Sequence, residues 1–266
     1  MSVETAILDV AGVRIAYRDT WTSRGTFLDA VPVVLVHGMG GDSGTWDRFA
    51  AALTARGRRV ISIDLRGHGR SAHTADYTFE TFGRDVAAVL AHLDLQSVDL
   101  VGHSLGAYAA SLVAQDRPRT VRSLVLEEMP IPIRPGDQPP TLTGRFPTPT
   151  ELWHAGTSVV RHPRAVFAFD RSMTRTALAQ FRLPNPLWWE QLSAIDASTL
   201  ILRGGPGGMV DSVRLESMVA AIPDCSVVSF ETGHSIHRDN YRKFESVVLP
   251  FLMRELPVDE GPTIGV

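Results

Sequence analysis

Val98-Asp99-Leu100-Val101-Gly102-His103-Ser104-Leu105-Gly106-Ala107-Tyr108 is the stretch on which the fold turns. Its first four residues alternate as a strand does, the next run forms Gly-x-Ser-x-Gly, and Leu105, Ala109, Leu112 and Val113 recur at helical spacing. The reading is a strand, a sharp turn and a helix, with Ser104 at the apex and held out at the end of a sheet. Gly102 and Gly106 suit that turn, because a side chain at either place would collide with the neighbouring strand or helix. The pentapeptide also occurs in ordinary glycine-rich turns, so the strand-turn-helix context carries the weight.

Upstream, residues 5–8 and 13–17 read as short strands joined at Gly12, an edge hairpin. Residues 31–36 are apolar on both faces, as a strand in the middle of a sheet is, and they end in His37-Gly38-Met39-Gly40-Gly41. A helix marked by Trp46, Phe49, Ala50 and Leu53, a strand at 60–63, the loop from Asp64 to Ser71 and a helix with Phe82, Val86, Val89, Leu90 and Leu93 follow. Downstream, a buried strand at 121–126 ends at Glu127-Glu128. Residues 129–187 break the rhythm with many prolines, helical segments at 151–160, 163–169 and 174–181, and no convincing strand. They read as an inserted helical cap, which leaves 1–128 and 188–266 as the core domain. The alternation resumes with a strand at 199–203, Gly204-Gly205-Pro206-Gly207-Gly208, a helix at 212–222, a strand at 227–230, the loop Glu231 to His237 and a closing helix with Phe244, Val247, Val248 and Phe251. Strand alternating with helix predicts an α/β fold, with a parallel sheet covered on both faces and reactive groups at the C-terminal ends of the strands.

At 266 residues, 44% hydrophobic and 21% charged, the chain suits one large α/β domain with an excursion. A net charge of -3, without clustered Lys/Arg and aromatics, argues against nucleic acid as a partner. Lys243 is the only lysine and falls on a charged helix face, which disfavours Schiff-base chemistry. The one cysteine, Cys225, precedes a strand and reads as a small core residue. The N-terminus shows no leader pattern and no apolar run reaches about 18 residues, so a cytoplasmic protein that does not enter a membrane is expected.

A serine hydroxyl is a poor nucleophile until a base takes its proton, a third group orients that base, and two donors meet the oxyanion. His234, after the last strand, is the expected base, with His237 its rival. These two histidines lack a third ligand at metal spacing, so no metal is expected, and nothing calls for a cofactor.

Four signatures in order, His37-Gly38, Asp64-x-Arg66-Gly67-x-Gly69-x-Ser71, Gly102-His103-Ser104-Leu105-Gly106 and Gly233-His234, make the chain resemble the α/β-hydrolase fold enzymes over nearly its whole length. The resemblance implies a mostly parallel, eight-stranded sheet with helices on both faces. It also implies Ser104 as nucleophile, His234 as general base, and the backbone N–H groups of Met39 and Leu105 as the oxyanion hole. Gly38 and His103, beside those donors, and Trp153 and Trp188, in or next to the cap, are the expected substrate contacts. Asp64 and Arg66 belong to the family's structural loop.

The acid departs from the pattern. The family usually places an Asp about three residues past the glycine that ends the next-to-last strand, which here is Gly207. Asp211 is the nearest carboxylate, and its position before a helix is that of a cap. Some members carry the acid after the strand that follows the nucleophile helix, and that register selects Glu128, with alternation turning Glu127 to the other side. Glu128 is the expected acid and Asp211 the alternative. Epoxide hydrolases and haloalkane dehalogenases need an Asp where Ser104 stands, and hydroxynitrile lyases need a lysine. What remains is acyl transfer to water from a small to medium, hydrophobic carboxylic ester, thioester, lactone or amide. Hydrolysis of a C–C bond in a diketone, or a non-hydrolytic binder or cyclase on the same fold, are the alternatives. A small-molecule substrate is the expected partner, and a homodimer is left open.

Overall fold

The computed structural model describes residues 4–21, 31–137 and 167–254. Strands β1 (Glu4–Val10), β2 (Val13–Asp19), β3 (Val33–Val36), β4 (Val60–Ile63), β5 (Val98–His103), β6 (Val121–Glu127), β7 (Ser198–Arg203) and β8 (Cys225–Ser229) form one sheet in the order β1-β2-β4-β3-β5-β6-β7-β8. β1 and β2 pair antiparallel, as does β2 with β4, and every later neighbour is parallel. The helices are α1 (Asp47–Thr54), α2 (Phe79–His92), α3 (Leu105–Asp116), α4 (Ser172–Gln180), α5 (Pro186–Glu190), α6 (Ser212–Ala221), α7 (Ile236–Asp239) and α8 (Tyr241–Met253). The α/β fold with a mostly parallel eight-stranded sheet is what forms.

The period of two decides which face each strand residue serves. Val34, Val36 and Leu100 pack with Phe82, Val86 and Leu90 of α2 and Ala109 and Val113 of α3. Val33, Leu35 and Val101 pack on the opposite face with Phe49 and Leu53 of α1 and Phe244, Val248 and Leu252 of α8. Both faces are covered, which is why β3 is apolar at every residue and β4 is buried at every residue. Because β3, β5, β6, β7 and β8 run parallel, the turns that follow them open at one edge of the sheet.

The opposite end is tied by charge. Asp99, at the start of β5 and fully buried, receives Arg58 Nη2 at 2.5 Å and Arg122 Nε at 2.8 Å. Both arginines also donate to the carbonyl of Leu252, at 3.0 and 2.9 Å, and so fasten the end of α8 beneath the sheet.

The excursion between β6 and α5 contains no strand among its described residues. Its helix α4 buries Met173 and Ala177 completely, and Gln180 accepts from Phe79 N at 2.8 Å while donating to the Tyr77 carbonyl at 2.9 Å. Asp170 N donates to the Gly67 carbonyl at 2.9 Å, and the Tyr77 hydroxyl donates to Asp170 Oδ2 at 2.6 Å. The helical segment expected at 151–160, most of that at 163–169, and Trp153 lie outside the described residues. Among those described, no helix is long and apolar enough to cross a membrane.

Candidate active site

Ser104 sits between β5 and α3 with φ 52° and ψ -118°, a conformation that a side chain adopts only where its neighbours enforce it. The enforcement is steric. A Cβ on Gly102 would lie 2.5 Å from Ala107 Cα, and one on Gly106 would lie 2.4 Å from the carbonyl oxygens of Val36 and His37. Close approach of β3, β5 and α3 is therefore built into the two glycines that flank the serine. Ser104 N donates to the Glu127 carbonyl at 2.8 Å, which ties the turn to the end of β6. Leu105, the first residue of α3, has an N–H that no carbonyl within the helix receives.

The turn after β3 lies against the serine. A Cβ on Gly38 would stand 3.1 Å from Ser104 Cβ and 2.6 Å from His103 Nδ1, so only glycine admits this approach. Gly40 N donates to His68 Nε2 at 3.0 Å, and His68 Nδ1 donates to the Arg66 carbonyl at 3.0 Å. Burial, with a smaller contribution from His37, depresses the His68 pKa to about 3, so Nε2 keeps its lone pair for Gly40. Sequence reading placed His68 only within a structural loop; its hold on the Met39–Gly40 turn depends on a contact between distant segments. Met39 is partly exposed beside that turn.

Glu128 follows β6 with φ 47° and is fully buried. Its Oε1 accepts from Gly204 N at 2.5 Å, and its Oε2 accepts from Met209 N at 2.6 Å and lies 3.3 Å from His234 Nδ1. The absence of an acid near Gly207 gains a physical reason here. A Cβ on Gly208 would lie 2.5 Å from Glu128 Oε1, and one on Gly204 would lie 1.9 Å from the Gly233 carbonyl oxygen. At Gly208 the carboxylate from β6 occupies the space a side chain would need, and at Gly204 the backbone of Gly233 does. Asp211 is elsewhere: it accepts from Arg214 N at 2.9 Å as the N-cap of α6 and is largely exposed.

His234 stands in the turn between β8 and α7, with a fifth of its side chain exposed. His103, the residue before Ser104, donates from Nε2 to the His234 carbonyl at 2.8 Å, and the two rings lie 4.8 Å apart. Burial depresses the His103 pKa to about 3, so the ring is neutral. Expected as a substrate contact, His103 directs its N–H instead to the backbone of the His234 turn.

Trp188 departs further from expectation. Only 1% of it is exposed, its Nε1 donates to Ser111 Oγ at 3.0 Å, and its ring stacks on Tyr108 at 6.1 Å. It packs α5 onto α3, because an indole on a short helix docked against the core is more favourable buried than exposed.

Alternation does turn Glu127 away from Glu128, and it meets the rival histidine. His237 Nδ1 lies 2.8 Å from Glu127 Oε2, and both side chains are buried. The chain thus carries two carboxylate–imidazole pairs side by side, one from each residue of the Glu127-Glu128 doublet. Burial pushes the Cys225 thiol up to about 12, which leaves it a neutral packing group. Among the described residues, no group of three or more His, Cys, Asp or Glu side chains is arranged to hold a metal ion.

The family model for the alpha/beta hydrolase fold matches residues 31–241. An sn-1-specific diacylglycerol lipase of Mus musculus is 27% identical over 83% of this chain and 80% of its own length. A 2-hydroxy-6-oxononadienedioate/2-hydroxy-6-oxononatrienedioate hydrolase of Cupriavidus pinatubonensis is 28% identical over 84% of this chain and 87% of its own. Among solved structures, a hydrolase of Pseudomonas aeruginosa superposes with a TM-score of 0.77 over 94% of this chain and 98% of its own, at 24% identity, a likeness of fold.

Proposed function

Because the chain belongs to the alpha/beta hydrolase fold family and the relatives named above are hydrolases, we propose that it hydrolyses a small to medium, hydrophobic carboxylic ester, thioester, lactone or amide through an acyl-enzyme on Ser104. The observation that carries this reading is the 3.3 Å contact between His234 Nδ1 and a fully buried Glu128 carboxylate, in a turn tied through His103 to the residue before Ser104.

In this reading Glu128 accepts a hydrogen bond from His234 Nδ1–H, which holds the proton on Nδ1 and leaves Nε2 as the base. His234 takes the Ser104 proton as Oγ attacks the carbonyl carbon, and the same proton then goes to the leaving group. The N–H groups of Met39 and Leu105 meet the oxyanion, where such donors typically lower the barrier by about 3 kcal/mol each. Gly38 supports that geometry by letting the turn lie against Ser104 without a side chain between.

Residues 129–187 are proposed as a cap over this site, with α4 among its described parts. The likeness to the Cupriavidus enzyme supports a second substrate class, a diketone cleaved at a C–C bond by the same residues. A fluorophosphonate probe tests the mechanism: the wild-type chain labels promptly and Ser104→Ala does not. A folded wild-type chain that fails to label would instead support a binder or cyclase without an acyl-enzyme.

A further inference from the structure

A cavity of about 130 Å³ lies between the turn after β3 and the His234 turn, lined by Met39, Gly41, Thr45, His103, His234 and His237 among others. His237 is the unusual member. Its backbone N–H donates to Glu127 Oε1 at 2.9 Å, and its Nδ1 lies within 2.9 Å of both oxygens of that carboxylate. A carboxylate only accepts, so Nδ1 holds the proton and Nε2 presents a lone pair. That Nε2 is buried and has no hydrogen-bond partner among the described residues. The ring cannot swing to find one, because it stacks on Trp46 at 4.1 Å. His237 lines a cavity wide enough for a few water molecules, and its fixed, unpartnered acceptor calls for a donor.

We propose that this cavity holds the water that ends the acyl-enzyme, with His237 Nε2 accepting one of its two O–H groups. The proposal rests on the reading of Ser104 as the nucleophile. The second O–H of the water faces His234. Its oxygen attacks the acyl carbonyl carbon while that proton passes to His234; the C–Oγ bond then breaks, the proton passes to Ser104 Oγ, and the carboxylic acid leaves. Two imidazole acceptors select a molecule with two O–H donors. An alcohol has only one, so His237 is a positioning residue that favours hydrolysis over acyl transfer to alcohols.

The test is His237→Asn in the full-length chain, since the Asn amide can still donate to Glu127 but has nothing in place of Nε2. A p-nitrophenyl butyrate burst reports acylation, and the ratio of methyl butyrate to butyrate formed in dilute methanol reports the choice of acceptor. The variant keeps its burst rate within about two-fold, its steady-state rate falls by about ten-fold or more, and its methyl ester share rises several-fold. Equal losses in burst and steady state, or an unchanged product ratio, overturn the proposal. So does a wild-type crystal structure with resolved waters but none within hydrogen-bond reach of His237 Nε2. A wild-type chain that forms no acyl adduct overturns the serine reading together with the proposal, whereas an adduct with an unchanged product ratio overturns the proposal alone.

Discussion

At residue 128 a left-handed backbone turn carries a buried carboxylate onto two amide N–H groups and one imidazole. Each oxygen accepts from a backbone N–H, so an amide in this place removes the charge beside the imidazole and also sets an NH2 against one of those donors. In Glu128→Gln, kcat falls by about 10²- to 10⁴-fold, since an amide in that place cannot hold the proton-bearing tautomer or stabilise the imidazolium. Asp211→Asn stays within about two-fold of wild type in both kcat and stability, because Asn caps a helix as well as Asp does. Measuring both variants on one ester decides between the two acids; the reverse order of losses would make Asp211 the acid.

Among the elements, β5 joins the two ends of the sheet: its C-terminus carries Ser104 and its first turn carries Asp99. The arginines that meet Asp99 come from the segment before β4 and from β6 itself, and both reach the last turn of α8. Breaking a buried ion pair from one side leaves charge uncompensated. Asp99→Asn is therefore expected to lower unfolding free energy by about 3 kcal/mol, read as a urea midpoint, while Ser104 labelling of the folded fraction persists. A loss below about 0.5 kcal/mol would place the anchoring of α8 in its apolar face alone.

For the molecule as a whole, buried histidines set the response to acid. Burial holds His68 and His103 near pKa 3, against an ordinary value of 6.5 that each regains on unfolding. Between those limits the unfolded chain binds protons that the native chain refuses, so stability falls as pH falls from about 6.5 toward 3. Glu127, held below the ordinary carboxylate range by His237 and His103 against the opposing effect of burial, acts in the same direction below about pH 4.5. The urea midpoint should decline steadily from pH 7 to pH 4. His103→Gln, whose amide can still donate to the His234 carbonyl, should show a shallower decline, and an identical slope would remove His103 from the account.

Much of this molecule is legible in one dimension. Mostly apolar runs mark the central strands because a sheet covered on both sides leaves little room for polar alternation, and the glycines around Ser104 announce a turn that any side chain would obstruct. The register that selects Glu128 follows from counting along β6. Other features require packing. Trp188 looks like a cap residue in sequence, yet it is core because α5 docks on α3. Gly208 looks like part of a missing acid loop until the carboxylate from the neighbouring strand is seen to fill its space. His237 and Glu127 meet only because the last turn folds back across the sheet. The sequence by itself determined the order of strands and helices and the residues that end them, since both depend on local periodicity and steric allowance. Tertiary structure alone decided that Glu127 and His237 form a second pair beside the first, because that depends on separations between strands that chain order does not contain.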